Sequence, residues 1–116
     1  AIEELQRDAN GLLLQDEYVT AGHSFTVDLA GKKGDIFQWS FQVLGGYDIQ
    51  FSVERKTSAG AQATIKEAAK MMSDYGTYTA DEDCTLTFLF DNTYSYFNGK
   101  ELRYHTSVMI PDAPKQ

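Results

Sequence analysis

A chain of 116 residues holds about one domain, and its 42% apolar content is enough for a core that needs neither metal nor disulfide. The formal net charge of −7 argues against a partner gripped mainly through phosphates, which removes nucleic acid from the expected ligands. No stretch is long and apolar enough to cross a bilayer as a helix, and the single cysteine, Cys84, rules out an internal disulfide and points to a reducing, cytoplasmic compartment.

The chain as given starts at Ala1 without a charged-then-apolar leader, which suggests a domain cut from something longer. Residues 1–15 are expected to be a linker or helical lead-in, since 1–8 are polar with fair helix propensity. Residues 16–111 are expected to form the folded domain and 112–116 an unstructured tail.

The first clear element is Phe25, Val27 and Leu29, which alternate with polar neighbours as a strand does. Gly31-Lys32-Lys33-Gly34 then breaks the run. Phe37, Trp39, Phe41 and Val43 alternate with Gln38, Ser40 and Gln42, the signature of a sheet buried on one face only. Gly45-Gly46 turns the chain, and Ile49, Phe51 and Val53 alternate again, so 37–54 reads as a hairpin of two antiparallel strands. Residues 61–72 are ambiguous. Ile65, Ala68, Ala69 and Met72 fall at helical spacing, while Ala63 and Ile65 suit a short strand; the expectation is a strand leading into a loop.

Cys84 opens the next run, in which Leu86, Phe88 and Phe90 can fill one sheet face before Asp91 and Asn92 bond their own backbone and stop the strand. Leu102, Tyr104, Thr106, Val108 and Ile110 alternate up to Pro111, which cannot donate to a ladder, and form the last strand. Short alternating strands separated by Gly, Asn and Asp imply an all-β fold of two packed antiparallel sheets, a β-sandwich. Its core would take Phe37, Trp39, Phe41, Ile49, Phe51, Leu86, Phe88, Phe90, Tyr104 and Val108.

Three pieces of this pattern carry a resemblance. Phe37-Gln38-Trp39-Ser40-Phe41, then Tyr47-Asp48-Ile49-Gln50-Phe51, then Phe90-Asp91-Asn92-Thr93-Tyr94-Ser95, followed by Lys100 and Tyr104, are similar in order and spacing to the GOLD (Golgi dynamics) domain. The match covers most of the chain. It departs from the family's pattern where a Gly and a Tyr usually precede the Leu-x-Phe-Asp-Asn segment, for Cys84 and Leu86 stand there. The resemblance implies a jelly-roll-like sandwich in which Trp39, Phe41, Asp48, Ile49, Phe51, Phe90, Asp91, Asn92 and Ser95 are structural. Without a cysteine pair, the chain is more similar to the cytosolic branch than to the lumenal cargo receptors. In that branch GOLD ends CRAL-TRIO lipid-transfer proteins such as patellins, or Golgi acyl-CoA-binding adaptors, and the implied role is docking trafficking proteins near Golgi or endosomal membranes.

Two surfaces stand out as docking candidates. Tyr94, Tyr96 and Phe97 follow the corner at Asp91-Asn92, and such rings either anchor a partner or cover the open end of a sandwich. Tyr94 is expected to cover. Exposed sheet edges form a second route, since an extended peptide can add a strand there. Lys32, Lys33, Arg55 and Lys56 are candidate membrane contacts, against the plainer reading of solubilising charge on loop tips. A carbohydrate-binding sandwich is the alternative class, favoured by Asp91, Asn92, Tyr94, Tyr96 and Asn98 in one stretch, and direct membrane or phosphoinositide docking is another.

Enzymatic function finds no support in the sequence. His23 and His105 lack metal-like spacing with each other or with Cys84, both read as strand residues, and His105 is expected on the sheet's outer side. Cys84 follows Asp81-Glu82-Asp83, whose negative charge disfavours a thiolate, so it reads as structural. Those three carboxylates could begin a calcium shell, but without alternating acids and a fixed glycine they read as a solvated turn. No cofactor or metal is expected.

Overall fold

The computed structural model describes residues 11–111. Eight strands follow one another: β1 (Gln15–Val19), β2 (Ser24–Gly31), β3 (Ile36–Val43), β4 (Ile49–Thr57), β5 (Gln62–Met71), β6 (Ser73–Thr79), β7 (Cys84–Asp91) and β8 (Lys100–Met109). They form two four-stranded antiparallel sheets, ordered β1-β8-β3-β6 and β2-β7-β4-β5. That order is the jelly roll, in which the chain passes back and forth between two packed layers.

Period-two alternation determines the inward face of each strand. Phe37, Trp39, Phe41 and Val43 meet Ile49, Phe51, Val53, Leu86, Phe88 and Phe90 across the gap, all of them buried. Phe41 sits 4.7 Å from Phe51 and 5.2 Å from Phe90, the latter edge to face at 84°, so rings from opposite sheets interlock. Each fully buried phenylalanine contributes on the order of 2–3 kcal/mol by leaving water. Tyr104 and Val108 are half-buried and pack against this cluster, which Val19 and Leu102 extend.

The expected hairpin over 37–54 does not form. β3 pairs with β8 and β6, while β4 pairs with β7 and β5 in the other sheet, and residues 44–48 cross between layers. Both strands carry strongly apolar inner faces, which suit opposite walls of one core as well as neighbours in one sheet. Alternation reports the face of a strand and not its partner. Gly45 and Gly46, at φ +78° and +81°, take the left-handed conformation that the crossing requires.

The segment 61–72 is also corrected, for the strand runs through to Met71 with no loop inside it. Register shifts opposite Phe51, Val53 and Glu54 insert extra residues into β5. These bulges leave Ile65 and Lys66 both half-buried in succession, which breaks the period of two and mimics a helical spacing. Ile110 lies beyond the last strand and is 81% exposed. The helical lead-in over 1–8 and the tail over 112–116 fall outside the described residues; within 11–15, Gln15 already opens β1.

Candidate functional site

The strands deliver their loops to two opposite ends. The turn at 20–23, the crossing at 44–48 and the 92–99 loop gather at one; the 32–35 and 80–83 loops, the 58–61 turn and Ile110 gather at the other. A strand of eight residues separates them, roughly 25 Å. Tyr94, Tyr96 and Phe97 therefore cannot share a contact surface with Lys32, Lys33 and Lys56.

The 92–99 loop is built on Asn92, which is fully buried. Its Nδ2 donates to the carbonyls of Val19 (3.1 Å), Thr20 (3.4 Å) and Asn98 (3.0 Å), fastening both ends of the loop to β1. The expected self-capping belongs to Asp91 alone, whose Oδ1 accepts from the Thr93 amide at 2.7 Å and its hydroxyl at 2.6 Å. Ser95 contributes its amide, which donates to the Asn92 carbonyl at 3.2 Å.

Tyr94 covers the end of the sandwich. Its hydroxyl donates to Asp48, 2.5 Å from Oδ1 and 3.0 Å from the carbonyl oxygen. Burial first, and then the Asp48 hydrogen bond, push the phenol well above the usual tyrosine range. Lys100, at the start of β8, points inward and is only 3% exposed. Its Nζ donates to the Asp48 carbonyl at 2.7 Å, whereas the Asp48 carboxylate is 4.0 Å away, so the main-chain bond is the principal contact. The Tyr94 ring centroid lies 4.8 Å from the ammonium. Burial lowers the Lys100 pKa, Asp48 opposing and the charge of Lys70 reinforcing it.

Beyond this base, Tyr96 and Phe97 are 88% and 94% exposed. Two large rings stand in water on a loop whose stem is pinned by five hydrogen bonds.

At the opposite end an open cleft of about 560 Å³ brings Lys32 and Lys56 together with Asp35, Asp83, Cys84 and Ile110. The acids there hold loops: Asp35 accepts from the Lys32 amide at 2.9 Å and Asp83 from the Lys33 amide at 2.8 Å. Arg55 does not belong with the exposed lysines. It points into the end of the core, and its Nη1 donates to the Tyr78 hydroxyl at 2.7 Å and to Asp81 at 2.8 Å. The Tyr78 hydrogen bond is the largest cause of a raised Arg55 pKa, with Asp81 adding to it against burial.

The remaining candidates have structural partners. Cys84 is buried, and burial raises its pKa, with Asp81, Glu82 and Asp83 adding to the rise and Arg55 opposing it. His105 lies on the outer face, its Nδ1 3.0 Å from the Leu13 carbonyl oxygen and its Nε2 2.9 Å from the Ser107 hydroxyl. His23 sits in the β1–β2 turn, not in a strand, and its carbonyl accepts the Asn92 amide. Among the described residues no group of three or more His, Cys, Asp or Glu is placed to hold a metal ion.

Sheet edges are the other expected surface. β1 and β6 flank one sheet, β2 and β5 the other. β5 is broken by bulges and β1 has five residues, whereas β2 and β6 pair inward in unbroken register, which leaves each a continuous outer edge. Sequence reasoning missed β6, since its inward residues Asp74, Gly76 and Tyr78 carry no aliphatic alternation. Gly76 is required there, because a Cβ would collide with the Trp39 ring. No family model matches the chain.

Proposed function

We infer that this domain is a non-enzymatic protein-interaction module of a membrane-trafficking or lipid-transfer protein, working on the cytoplasmic side of Golgi or endosomal membranes. The trafficking part rests on the resemblance carried by residues 37–41, 47–51 and 90–95. The docking part rests on one observation: Tyr96 and Phe97 are held out in solvent by a fastened stem. Exposing two rings costs solvation free energy, while the fixed stem lowers the entropy lost when a partner covers them. The unbroken edges of β2 and β6 offer main-chain pairing as a further contribution. The carbohydrate alternative has less to work with, because Asn92 is buried and Asp91 is engaged by Thr93.

The test compares the wild type with a Tyr96→Ala/Phe97→Ala variant for capture of partners from Golgi-enriched extract. The expected result is lost capture with Tm moved by less than about 2 °C, since surface substitutions away from the core are nearly neutral. Equal capture by both proteins sinks the reading, and specific binding on a glycan array replaces it with the lectin class.

A further inference from the structure

Resting on the docking role of the 92–99 loop, we propose that the adjoining pocket seats a basic side chain, arginine or lysine, of a partner segment whose apolar neighbours cover Tyr96 and Phe97. The pocket has a volume of about 270 Å³ and is lined by Tyr18, Leu44, Gly45, Tyr47, Gly99 and Glu101. Gly99, two residues past Phe97, connects it to the exposed rings.

Two of its walls are aromatic. Tyr18 projects from β1 opposite Glu101 of β8, and its ring rests on Gly99, where an added Cβ would collide with the hydroxyl. Tyr47 forms the other wall, next to Gly45. The two tyrosines are 59% and 42% exposed, so both present area to an incoming group.

The charge selects the occupant. Glu101 is exposed and Glu17, in the adjoining depression that shares Tyr18 and Glu101, is half-buried; neither has an ion-pair partner among the described residues. Neighbouring Asp16, by contrast, is held by Arg103 at 3.1 Å. Lys100 lies 5.7 Å from the Tyr47 ring centroid, but its ammonium is directed at the Asp48 carbonyl. A carboxylate lining the same pocket as two tyrosine rings suits a guanidinium or ammonium, which takes the ion pair and the ring faces together. A neutral or acidic side chain would desolvate Glu101 without compensation. The net charge of −7 draws a basic segment in from a distance.

Fluorescence anisotropy with a labelled decapeptide of alternating arginine and leucine, against its glutamine–leucine counterpart, tests this at about 50 mM salt, where screening is weak. The wild type is expected to prefer the arginine peptide by about tenfold or more, and Glu101→Gln to cut that preference to under about threefold. Gly99→Ala, which displaces the Tyr18 wall, is expected to weaken arginine-peptide binding as well. Glu82→Gln, the same charge change at the far end, is expected to leave the preference intact. Equal affinity for the two peptides, no binding of the arginine peptide, a preference surviving Glu101→Gln, or an equal fall in Glu82→Gln would each overturn the proposal. Equal binding of both peptides that is lost in Tyr96→Ala/Phe97→Ala removes the basic pocket and leaves the docking loop standing.

Discussion

Each end of the sandwich is closed by a cation reaching inward from near the end of a strand, yet Arg55 and Lys100 occupy opposite electrostatic situations. Arg55 of β4 ties the hydroxyl of Tyr78, on the facing sheet, to Asp81, and these contacts hold its pKa above the ordinary value. Lys100 of β8 meets a main-chain carbonyl and the Tyr94 ring, and burial wins over Asp48 to hold its pKa down. A guanidinium keeps its charge and spreads it over several donors, whereas an ammonium concentrates it and is more easily disfavoured by burial. The 92–99 loop is thus built over the end where a buried charge is least comfortable. Its security comes from Asn92 and from packing more than from ion pairing.

The sharpest break in this comparison is Asn92→Ala, which removes a donor from the Val19 and Asn98 carbonyls at the loop base, while the Thr20 carbonyl keeps the His23 amide. It should cost about 3 kcal/mol in urea unfolding, combining lost hydrogen bonds with unsatisfied buried acceptors. Lys100→Ala comes next, at about 2 kcal/mol, from the cavity and the lost carbonyl bond. Lys100→Met, which keeps the stem and removes a poorly solvated charge, should cost under about 1 kcal/mol. If Met proves as damaging as Ala, the ammonium matters more than its burial suggests.

Arg55→Met should lower Tm less than Lys100→Ala. Asp81 is 73% exposed, so the loss should shrink further in about 1 M salt, where screening reaches a few ångströms. The Asn92→Ala loss should not respond to salt. A pH series separates the two ends more finely. Lys100 has a folded pKa below its unfolded 10.5, so the folded state binds fewer protons in that window and stability rises with pH through the folded pKa towards 10.5. Tyr94 has the opposite sign: its folded pKa is raised, and stability falls as pH climbs above the unfolded value of 10. Urea titrations of wild type and Lys100→Met between pH 7 and 10 should show the wild type gaining relative to the variant. Parallel curves would mean that Lys100 is not disfavoured by burial.

Much of the fold was legible because inward rings recur at period two. Trp39, Phe51 and Phe88 announced their strands, and eight of the ten expected core residues are fully interior, with Tyr104 and Val108 packed at the margin. Pairing was less legible. β3 and β4 alternate as hairpin strands do, and only the jelly-roll wrap, set by long-range partners, places them in different sheets. β5 was obscured by bulges, while β1 and β6 line the core with Glu17, Val19, Asp74, Gly76 and Tyr78 and lack a hydrophobic signature. At the site, Tyr96 and Phe97 were readable as neighbours of a turn. The pocket beside them was not, since it joins Tyr18, Tyr47 and Glu101 from three distant segments.

β8 has a further consequence for biogenesis. It lies between β1 and β3, yet it is the last of the eight strands to leave the ribosome. At roughly 5–20 residues per second, both neighbours wait several seconds with the ladder groups of one edge unpaired. Of the six strand pairings, only β4 with β5 joins elements adjacent in sequence, so little of the sheet can form early. A chain stalled before residue 100 would lack β8 and leave the facing edges of β1 and β3 unpaired, an arrangement prone to aggregation.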